Sequence, residues 1–258
     1  MSLHVESAGS GPPLVLLHGW AMHSGLWQPV LPRLAARFRV HCVDLPGHGR
    51  SATVAPYTLA GIAAEVAAHC AALPEPPTLL GWSLGGAVAL YRALAEPAAV
   101  ARLIVVGTTP CFVSRDDWLH AISLETLRRF GDELAVSYRA TLQRFVTLQV
   151  QGSEHARDVL ARLRGQLFTR GEPSPPALRA GLEVLAATDL RPRIAAIAQP
   201  ALVIAGERDT LVPAAAGAWL AAAMPAGRFA PIAGAAHAPF LSHPEAFLAA
   251  LTGFCDGR

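Results

Sequence analysis

The sequence contains no lysine, so all 21 of its basic residues are arginine. Charged residues make up 16% of the chain and the net charge is only +2, which is too small to indicate nucleic-acid binding. No apolar run approaches the roughly 18–20 residues that cross a bilayer, and no basic segment followed by a signal-like apolar stretch begins the chain. We therefore expect a cytoplasmic protein that binds neither nucleic acid nor membrane.

Cysteine is scarce, and the four cysteines are far apart without the Cys/His spacing of a zinc site. A disulfide framework is equally unsupported. We expect reduced, partly buried thiols at Cys42, Cys70, Cys111 and Cys255, with no metal and no cofactor.

Short apolar runs bounded by turn residues alternate with longer helical patterns in both terminal parts of the chain. This alternation is typical of an α/β fold with a mostly parallel sheet flanked by helices. With 258 residues, 52% of them hydrophobic, one main core is expected. The predicted strands are Leu14–Leu17, Val40–Val43, Thr78–Trp82, Leu103–Val106, Ala201–Ala205 and Arg228–Ile232.

The alternation stops after Thr109 and resumes near Pro200, and helical patterns without a convincing strand lie between them. We therefore expect a helical cap, residues 110–188, inserted into a core made of residues 1–109 and 189–258. A monomer is expected. The predicted core helices are Leu26–Arg37, Leu59–Ala72, Leu84–Ala95, Pro213–Ala223 and Pro244–Phe254.

A serine stands between a predicted strand and a predicted helix, in the segment Gly81–Gly86, which reads Gly-Trp-Ser-Leu-Gly-Gly. The G-x-S-x-G pattern is weak alone, but in this position a sharp turn exposes a nucleophilic serine. The N-terminus of the following helix favours developing negative charge. Ser83 is therefore the candidate nucleophile, and the alternative is a turn without chemistry.

A serine hydroxyl needs a base that takes its proton, and in this strand-turn-helix setting the base follows the serine in the chain. Four histidines follow Ser83. His120 and His155 fall in the expected cap, and His243 stands before a proline at a helix start. His237 lies in a loop directly after the last predicted strand, so it is the candidate base.

The base in turn needs a carboxylate that orients it. Asp209 follows the strand Ala201–Ala205 and precedes a loop that continues into a helix. Glu207 is nearer to the strand and is one rival. Asp189 is the other, although we expect it to cap a short helix. Asp209 is the candidate acid.

Acyl transfer also needs backbone N–H groups that face the developing oxyanion. The N–H of Leu84, directly after the candidate nucleophile, is the first candidate. Gly19 allows the chain to turn back after the first predicted strand and presents the N–H of Trp20 as the second. Alternatively, His18 and Gly19 merely end a strand. The turn-rich loop Asp44–Ser51 is expected to support the site without taking part in catalysis.

These segments together resemble the α/β-hydrolase superfamily along nearly the whole chain. The resemblance implies the α/β-hydrolase fold and a Ser-His-Asp mechanism of ester hydrolysis. Haloalkane dehalogenation in its usual form is excluded, because it uses an aspartate where this chain has Ser83. The segments are His18–Trp20, Asp44–Ser51, Gly81–Gly86, Gly206–Asp209 and His237.

Finer motifs resemble the carboxylesterase family of biotin synthesis, which removes the methyl ester from a pimeloyl group held on an acyl-carrier protein. These motifs are Gly81–Gly86, Pro110–Phe112, Arg144–Gln149, Gly181–Glu183, Asp189–Arg191 and His237–Pro244. The resemblance implies the same substrate and the release of methanol. It also implies substrate contacts at Trp20, Ser83, Leu84, Phe145, Val146, Thr147, Leu148, Gln149 and His237.

Six arginines but only two acidic residues lie between positions 139 and 170, which indicates a solvated face or a surface for an acidic partner. The resemblance implies that such arginines hold the carrier protein. Arginine is expected at positions 140 and 161, where the chain has Ala140 and Ala161 with an arginine one position away. The predicted docking residues are Arg139, Arg144, Arg157, Arg162 and Arg164.

Several interpretations stay open from the residues alone. Phe145, Leu148 and Gln149 have the spacing of one helix face and could line an acyl channel or simply pack the cap. A broad carboxylesterase or lactonase for small free esters is one alternative function. A catalytically silent ligand-binding member of the fold is another, although such a protein would not need a complete triad.

Overall fold

The computed structural model describes residues 3–257 and places the predicted strands in one sheet. All six predicted strands are present, each within one residue of its predicted bounds. The central strands are buried along nearly their whole length, as expected for parallel strands that helices cover on both faces. The strands are β1 Val5–Ala8, β2 Pro13–Leu17, β3 Arg39–Val43, β4 Thr78–Trp82, β5 Arg102–Val106, β6 Ala201–Gly206 and β7 Gly227–Ile232.

Within the described range the strands follow the order β1-β3-β2-β4-β5-β6-β7, with β1 antiparallel to β3 and the other pairs parallel. The carboxyl ends of parallel strands meet at one edge of a sheet. Ser83, Asp209 and His237 follow β4, β6 and β7 in the chain, so the topology directs all three toward that edge.

Helices flank the sheet, and α3 follows β4 without an intervening loop residue other than Ser83. Two clusters of buried hydrophobic residues pack on the sheet: one contains Trp27 and Phe240, and the other contains Ile62 and Leu220. The helices are α1 Leu31–Ala35, α2 Leu59–Ala71, α3 Leu84–Ala95, α4 Leu124–Gln149, α5 Ala156–Gln166, α6 Pro175–Ala187, α7 Ala214–Ala223, α8 Pro239–Ser242 and α9 Pro244–Cys255.

One predicted helix, Leu26–Arg37, is wrong in its extent. The chain forms a short 3-10 turn at Ser24–Trp27 and resumes as α1 only at Leu31. Pro29 explains the break, because proline has no N–H to donate and disfavours helical geometry at the residue before it.

The edge strand β1 was not predicted. It is only four residues long, it includes Glu6, and no residue of it is fully buried. Its partner β3 stabilises it through antiparallel pairing, which a local hydrophobic pattern does not reveal.

The segment between β5 and β6 holds three helices, α4, α5 and α6, and α4 is broken by a kink at Ser137. The two ends of this segment are joined: Leu190 N–H donates to the carbonyl of Pro110 at 2.8 Å, and Cys111 pairs with Asp189. The helical character is as expected, while the division into a core and a separate cap at residues 110–188 stays a prediction.

Burial affects the thiols of three cysteines. It raises the pKa of the Cys70 thiol to about 11 and that of Cys42 to about 12, and Cys111 is fully buried. All four thiols are free. Across residues 3–257, no helix is long and apolar enough to span a membrane.

Close packing of α3 on the sheet predicts that Gly85→Ala is strongly destabilising. A Cβ at Gly85 would lie 2.4 Å from the carbonyl oxygen of Leu17 and 2.6 Å from that of His18, and neither backbone group can move freely. We expect a loss of about 1–3 kcal/mol in the free energy of unfolding, measured by urea denaturation. Gly131→Ala in α4 is the control, because its Cβ meets only Leu182 at 4.0 Å. It should gain about 0.5–1 kcal/mol, and equal losses in both variants would contradict this account.

Candidate active site

The turn between β4 and α3 presents Ser83 in a strained conformation, with φ 53° and ψ −116°. For a residue with a side chain such a conformation costs on the order of 1–3 kcal/mol. Strand β5 and the residues after it hold the turn in place. The Ser83 N–H donates to the carbonyl of Val106 at 3.0 Å, and the Thr108 hydroxyl donates to the carbonyl of Ser83 at 2.8 Å.

His237 and Asp209 meet at the carboxyl edge of the sheet, where His237 Nδ1 and Asp209 Oδ2 are 2.7 Å apart. The other carboxylate oxygen accepts the N–H groups of Leu211 and Val212, each at 2.9 Å. Both side chains are almost completely buried. Because the carboxylate can only accept, the proton lies on Nδ1 and leaves Nε2 as a proton acceptor.

Neither rival acid contacts His237 in the described part of the chain. Glu207 is exposed on the surface. Asp189 binds the guanidinium of Arg191 at 2.7 and 2.9 Å, and this pairing is the main reason why the pKa of Asp189 is lowered. Asp189 also accepts the backbone N–H of Arg191 at 3.2 Å. The prediction that it caps the following helix is wrong, because Leu190 is the N-cap of the 3-10 helix Arg191–Ala196 and provides no side-chain cap. Of the three candidate acids, only Asp209 contacts His237.

The other three histidines lie apart from this pair. His120 is exposed and packs its ring against Trp118, with the centroids 5.3 Å apart. The rings of His155 and His243 contact each other at 5.0 Å. His243 also bonds to Ser242.

Strand β4 and the loop that carries His237 contact each other through the backbone of His237. Its carbonyl accepts the indole N–H of Trp82 at 2.8 Å, and a Cβ at Gly107 would lie 3.1 Å from His237 Nδ1. Among the described residues no hydrogen bond joins Ser83 Oγ to His237. Hydrogen bonds between nucleophile and base are often long in the absence of substrate and tighten in its presence.

Two backbone N–H groups are available beside Ser83. Within residues 3–257, neither the N–H of Trp20 nor that of Leu84 has a hydrogen-bond partner. The chain passes close to Ser83 at Gly19, where a Cβ would lie 3.2 Å from the Cβ of Ser83. Ala21, next to Trp20, has φ 65°, so this loop is strained like the turn at Ser83. The arrangement offers two donors to an oxyanion.

A cluster of buried polar residues, His18, His48 and Asp44, lies next to the loop that carries Trp20. His18 donates from Nδ1 to the carbonyl of Gly19 at 2.8 Å and accepts the N–H of Leu45 at Nε2 at 2.9 Å. Burial, together with the nearby His48, lowers the pKa of His18 to about 3. Asp44 accepts the N–H groups of Ser24 and Arg50, which explains the supporting role expected of the Asp44–Ser51 loop.

The predicted acyl-contact stretch lies near the C-terminus of α4, and only part of it faces the site. The ring of Phe145 meets that of Trp20 edge-on at 4.8 Å. Gln149 is buried, its carbonyl accepts the His237 N–H at 3.1 Å, and its Oε1 has no partner within the described part of the chain. Val146 is buried and Leu148 half-buried, whereas Thr147 is exposed and bonded to Gln143.

The predicted docking arginines are all exposed, but they differ in their partners. Arg139 pairs with Glu172, and Arg144 pairs with Glu133 at 2.6 Å. Arg164 donates to the hydroxyl of Thr147 at 3.2 Å. Arg157 and Arg162, both on α5, take part in no ion pair with any residue that the structure describes.

Two contributors were missed by the sequence analysis. Thr108 holds the carbonyl of Ser83, and its position two residues after β5 at the carboxyl edge was a usable signal. Arg170 is nearly buried and binds Ser24 and Glu6, so it joins the segment between α5 and α6 to the core. No local pattern distinguishes Arg170 from the other arginines.

The sheet with a serine on its strand-to-helix turn, beside a buried histidine and carboxylate, defines a serine hydrolase with the α/β-hydrolase fold. Residues 12–244 match the family model described as alpha/beta hydrolase fold. An esterase from Exiguobacterium antarcticum has the same fold, with a TM-score of 0.90, 23% identity, and coverage of 98% of this chain and 95% of that one.

Two curated relatives, both pimeloyl-[acyl-carrier protein] methyl ester esterases, match nearly the whole chain. The protein of Nitrosomonas europaea is 45% identical over 96% of this chain and 97% of its own length. That of Xanthomonas oryzae pv. oryzae is 47% identical over 98% of both chains. The chain therefore belongs to the family of pimeloyl-[acyl-carrier protein] methyl ester esterases.

The buried histidines predict that the protein loses stability in mild acid. Burial lowers the pKa of His18, His23 and His48 in the folded state, while unfolded histidines titrate near pH 6.5. The unfolded chain then binds more protons, so this stability is present above about pH 6.5 and is lost as the pH falls toward 3. Each such histidine contributes a slope of up to about 1.4 kcal/mol per pH unit.

Urea denaturation between pH 8 and pH 5 measures this slope. His48→Gln removes one buried ring and should flatten the curve, whereas His120→Gln removes an exposed one and should not. An unchanged slope in His48→Gln would contradict the assignment.

Proposed function

We propose that the chain hydrolyses the methyl ester of pimeloyl-[acyl-carrier protein], which yields methanol and the free ω-carboxylate on the carrier. The observation that carries this proposal is the hydrogen-bonded Asp209–His237 pair beside Ser83, in a chain 45% and 47% identical to esterases of that name. Such a site performs ester hydrolysis with serine as the nucleophile.

In the proposed mechanism, Ser83 Oγ attacks the ester carbonyl while His237 Nε2 takes its proton. Asp209 keeps the second imidazole proton on Nδ1 and stabilises the imidazolium that forms. His237 then gives the proton to the departing methoxide, so methanol leaves and an acyl-enzyme remains. Water attacks this ester with His237 again as base, and the carboxylate product is released.

The N–H groups of Trp20 and Leu84 hold the oxyanion in both steps. They have no competing partner within residues 3–257, and the turns that carry them are held in strained conformations. Donors fixed in this way need no reorganisation when charge develops. The pair of Trp20 and Phe145 supplies an apolar wall for the acyl chain, and the unpartnered Oε1 of Gln149 supplies a polar group beside it.

The carrier protein docks on the outer face of α4 and α5 in this proposal. Among the predicted docking arginines, Arg157, Arg162 and Arg164 form no ion pair with any described residue, whereas Arg139 and Arg144 do. An acidic partner can therefore bind these three without displacing a glutamate. Arg139 and Arg144 must exchange Glu172 and Glu133 for the partner. We also propose residues 110–188 as a cap that recognises the carrier while the core carries the chemistry.

Ser83→Ala should lower kcat for p-nitrophenyl acetate by at least about 10³-fold with the fold intact, because triad members act as one unit. Asp209→Asn should cost about 10⁴-fold, since the wrong imidazole tautomer is favoured. Glu207→Gln is the matched control for the acid, and it should retain wild-type turnover because Glu207 is exposed. Reversed results for the two acid variants would make Glu207 the orienting group.

Carrier docking predicts a salt dependence that is specific to the carrier-bound substrate. Exposed charges are screened over about 8–10 Å at physiological ionic strength, and steering acts mainly on association. Added salt should therefore lower kcat/KM for pimeloyl-[acyl-carrier protein] methyl ester and leave that for p-nitrophenyl esters unchanged.

Charge reversal tests the same surface directly. Arg144→Glu, Arg157→Glu and Arg164→Glu combined should impair hydrolysis of the carrier-bound ester strongly and that of p-nitrophenyl esters little. Arg33→Glu is the control, since Arg33 lies on α1 of the core, paired with Glu245. Equal losses on both substrates would indicate a damaged cap segment. If the triple variant keeps wild-type activity on both substrates, the carrier binds elsewhere. If the wild-type protein itself does not hydrolyse the carrier-bound ester, a small-ester enzyme is favoured.

A further inference from the structure

Trp82 precedes the nucleophile and has no role in the mechanism described above. Its side chain is completely buried, and the site's aromatic wall is formed by other rings. A buried tryptophan normally finds a partner for its indole N–H. Trp82 finds it in the base loop, where Nε1 donates to the carbonyl of His237 at 2.8 Å.

The same indole contacts the other two parts of the site. Its ring lies 5.4 Å from the imidazole of His237, centroid to centroid. On another side it fills the space at Gly19, where a Cβ would lie 2.9 Å from Cε3 of Trp82. One side chain thus touches the base and the Trp20 loop while its backbone leads directly into Ser83.

The hydrogen bond from Trp82 restrains the backbone of His237, which has few other hydrogen bonds among the described residues. His237 donates its N–H to the carbonyl of Gln149 at 3.1 Å, in the cap segment, and accepts from Trp82 with its carbonyl. Among the described residues, its side chain has one hydrogen-bond partner, Asp209 at Nδ1. The Trp82 bond is the one that ties the backbone of His237 to the strand that carries Ser83.

We propose that Trp82 is a positioning residue, which sets the distance between His237 and Ser83 through its indole N–H. This inference rests on the proposed function, because it takes His237 as the base. A misplacement of about 1 Å in such a site can lower the rate about 100-fold. Trp82 acts on kcat because it orients the base and does not bind the substrate.

Trp27 provides a matched control. It is also completely buried, and like Trp82 it packs against Phe240, with ring centroids 4.4 Å apart compared with 5.4 Å. Its indole N–H, however, has no hydrogen-bond partner in the described part of the chain. Replacing each by phenylalanine makes a similar change in packing, and only at position 82 does it remove a hydrogen bond to the site.

The experiment compares Trp82→Phe with Trp27→Phe on p-nitrophenyl acetate. Active-site titration with a fluorophosphonate normalises each rate to the competent fraction, so partial unfolding does not mimic the effect. We expect kcat of Trp82→Phe to fall about 10- to 100-fold with KM changed less than twofold, and Trp27→Phe to keep wild-type kcat. The downfield NMR resonance of the His237 Nδ1 proton should shift only in Trp82→Phe.

A second variant covers the case in which Trp82→Phe does not fold. Benzothienylalanine incorporated at position 82 keeps both rings and exchanges only the N–H for sulfur. A wild-type kcat in either position-82 protein, or an equal loss in Trp27→Phe, overturns the proposal. If Ser83→Ala retains activity in the same assay, the proposed triad itself has failed, and that result is distinct from a failure at Trp82.

Discussion

At Ser83 the backbone takes a φ of 53°, and the rest of the site depends on how the surrounding structure enforces that value. The turn persists because β5 and the residues directly after it supply hydrogen-bond partners to the N–H and the carbonyl of Ser83, and because α3 lies directly against the sheet. The Ser83 N–H donates to the carbonyl of Val106, and the Thr108 hydroxyl donates to the carbonyl of Ser83. This conformation places the Ser83 hydroxyl at the N-terminus of α3, beside the N–H of Leu84, which has no partner among the described residues.

Neutral histidines are a second constraint on the site. His18 acts as donor and acceptor at once, to Gly19 and Leu45, which only an uncharged imidazole can do. Burial lowers its pKa and keeps it in that state over the working range. An uncharged group therefore holds the loop that carries the Trp20 N–H, and in the proposed mechanism it does not compete with this N–H for the oxyanion.

The turn between α4 and α5 links residues 110–188 to the loops that carry Asp209 and His237. Glu154 donates its N–H to the carbonyl of Gly234 at 3.0 Å, and Arg208 donates to the carbonyl of Gly152 at 3.2 Å. Gly234 lies in the loop of the base, and Arg208 is adjacent to Asp209. In the proposed function, recognition of a carrier on this segment is thus mechanically connected to the groups that perform the chemistry.

The sequence by itself determined the strands β2 to β7, the order of the candidate triad and the family. Hydrophobic periodicity and turn residues are local signals, and sequence motifs can be recognised without a structure. It favoured Asp209 over Glu207 from their positions in the loop, but it could not show that Asp209 contacts His237. Nor could it show that Trp82 donates to His237, a residue 155 positions away. It also missed β1 and the break at Pro29, and it did not show that Arg139 and Arg144 are already paired. Tertiary structure decided these points, because distances between remote residues follow from strand register and packing, which local patterns do not encode.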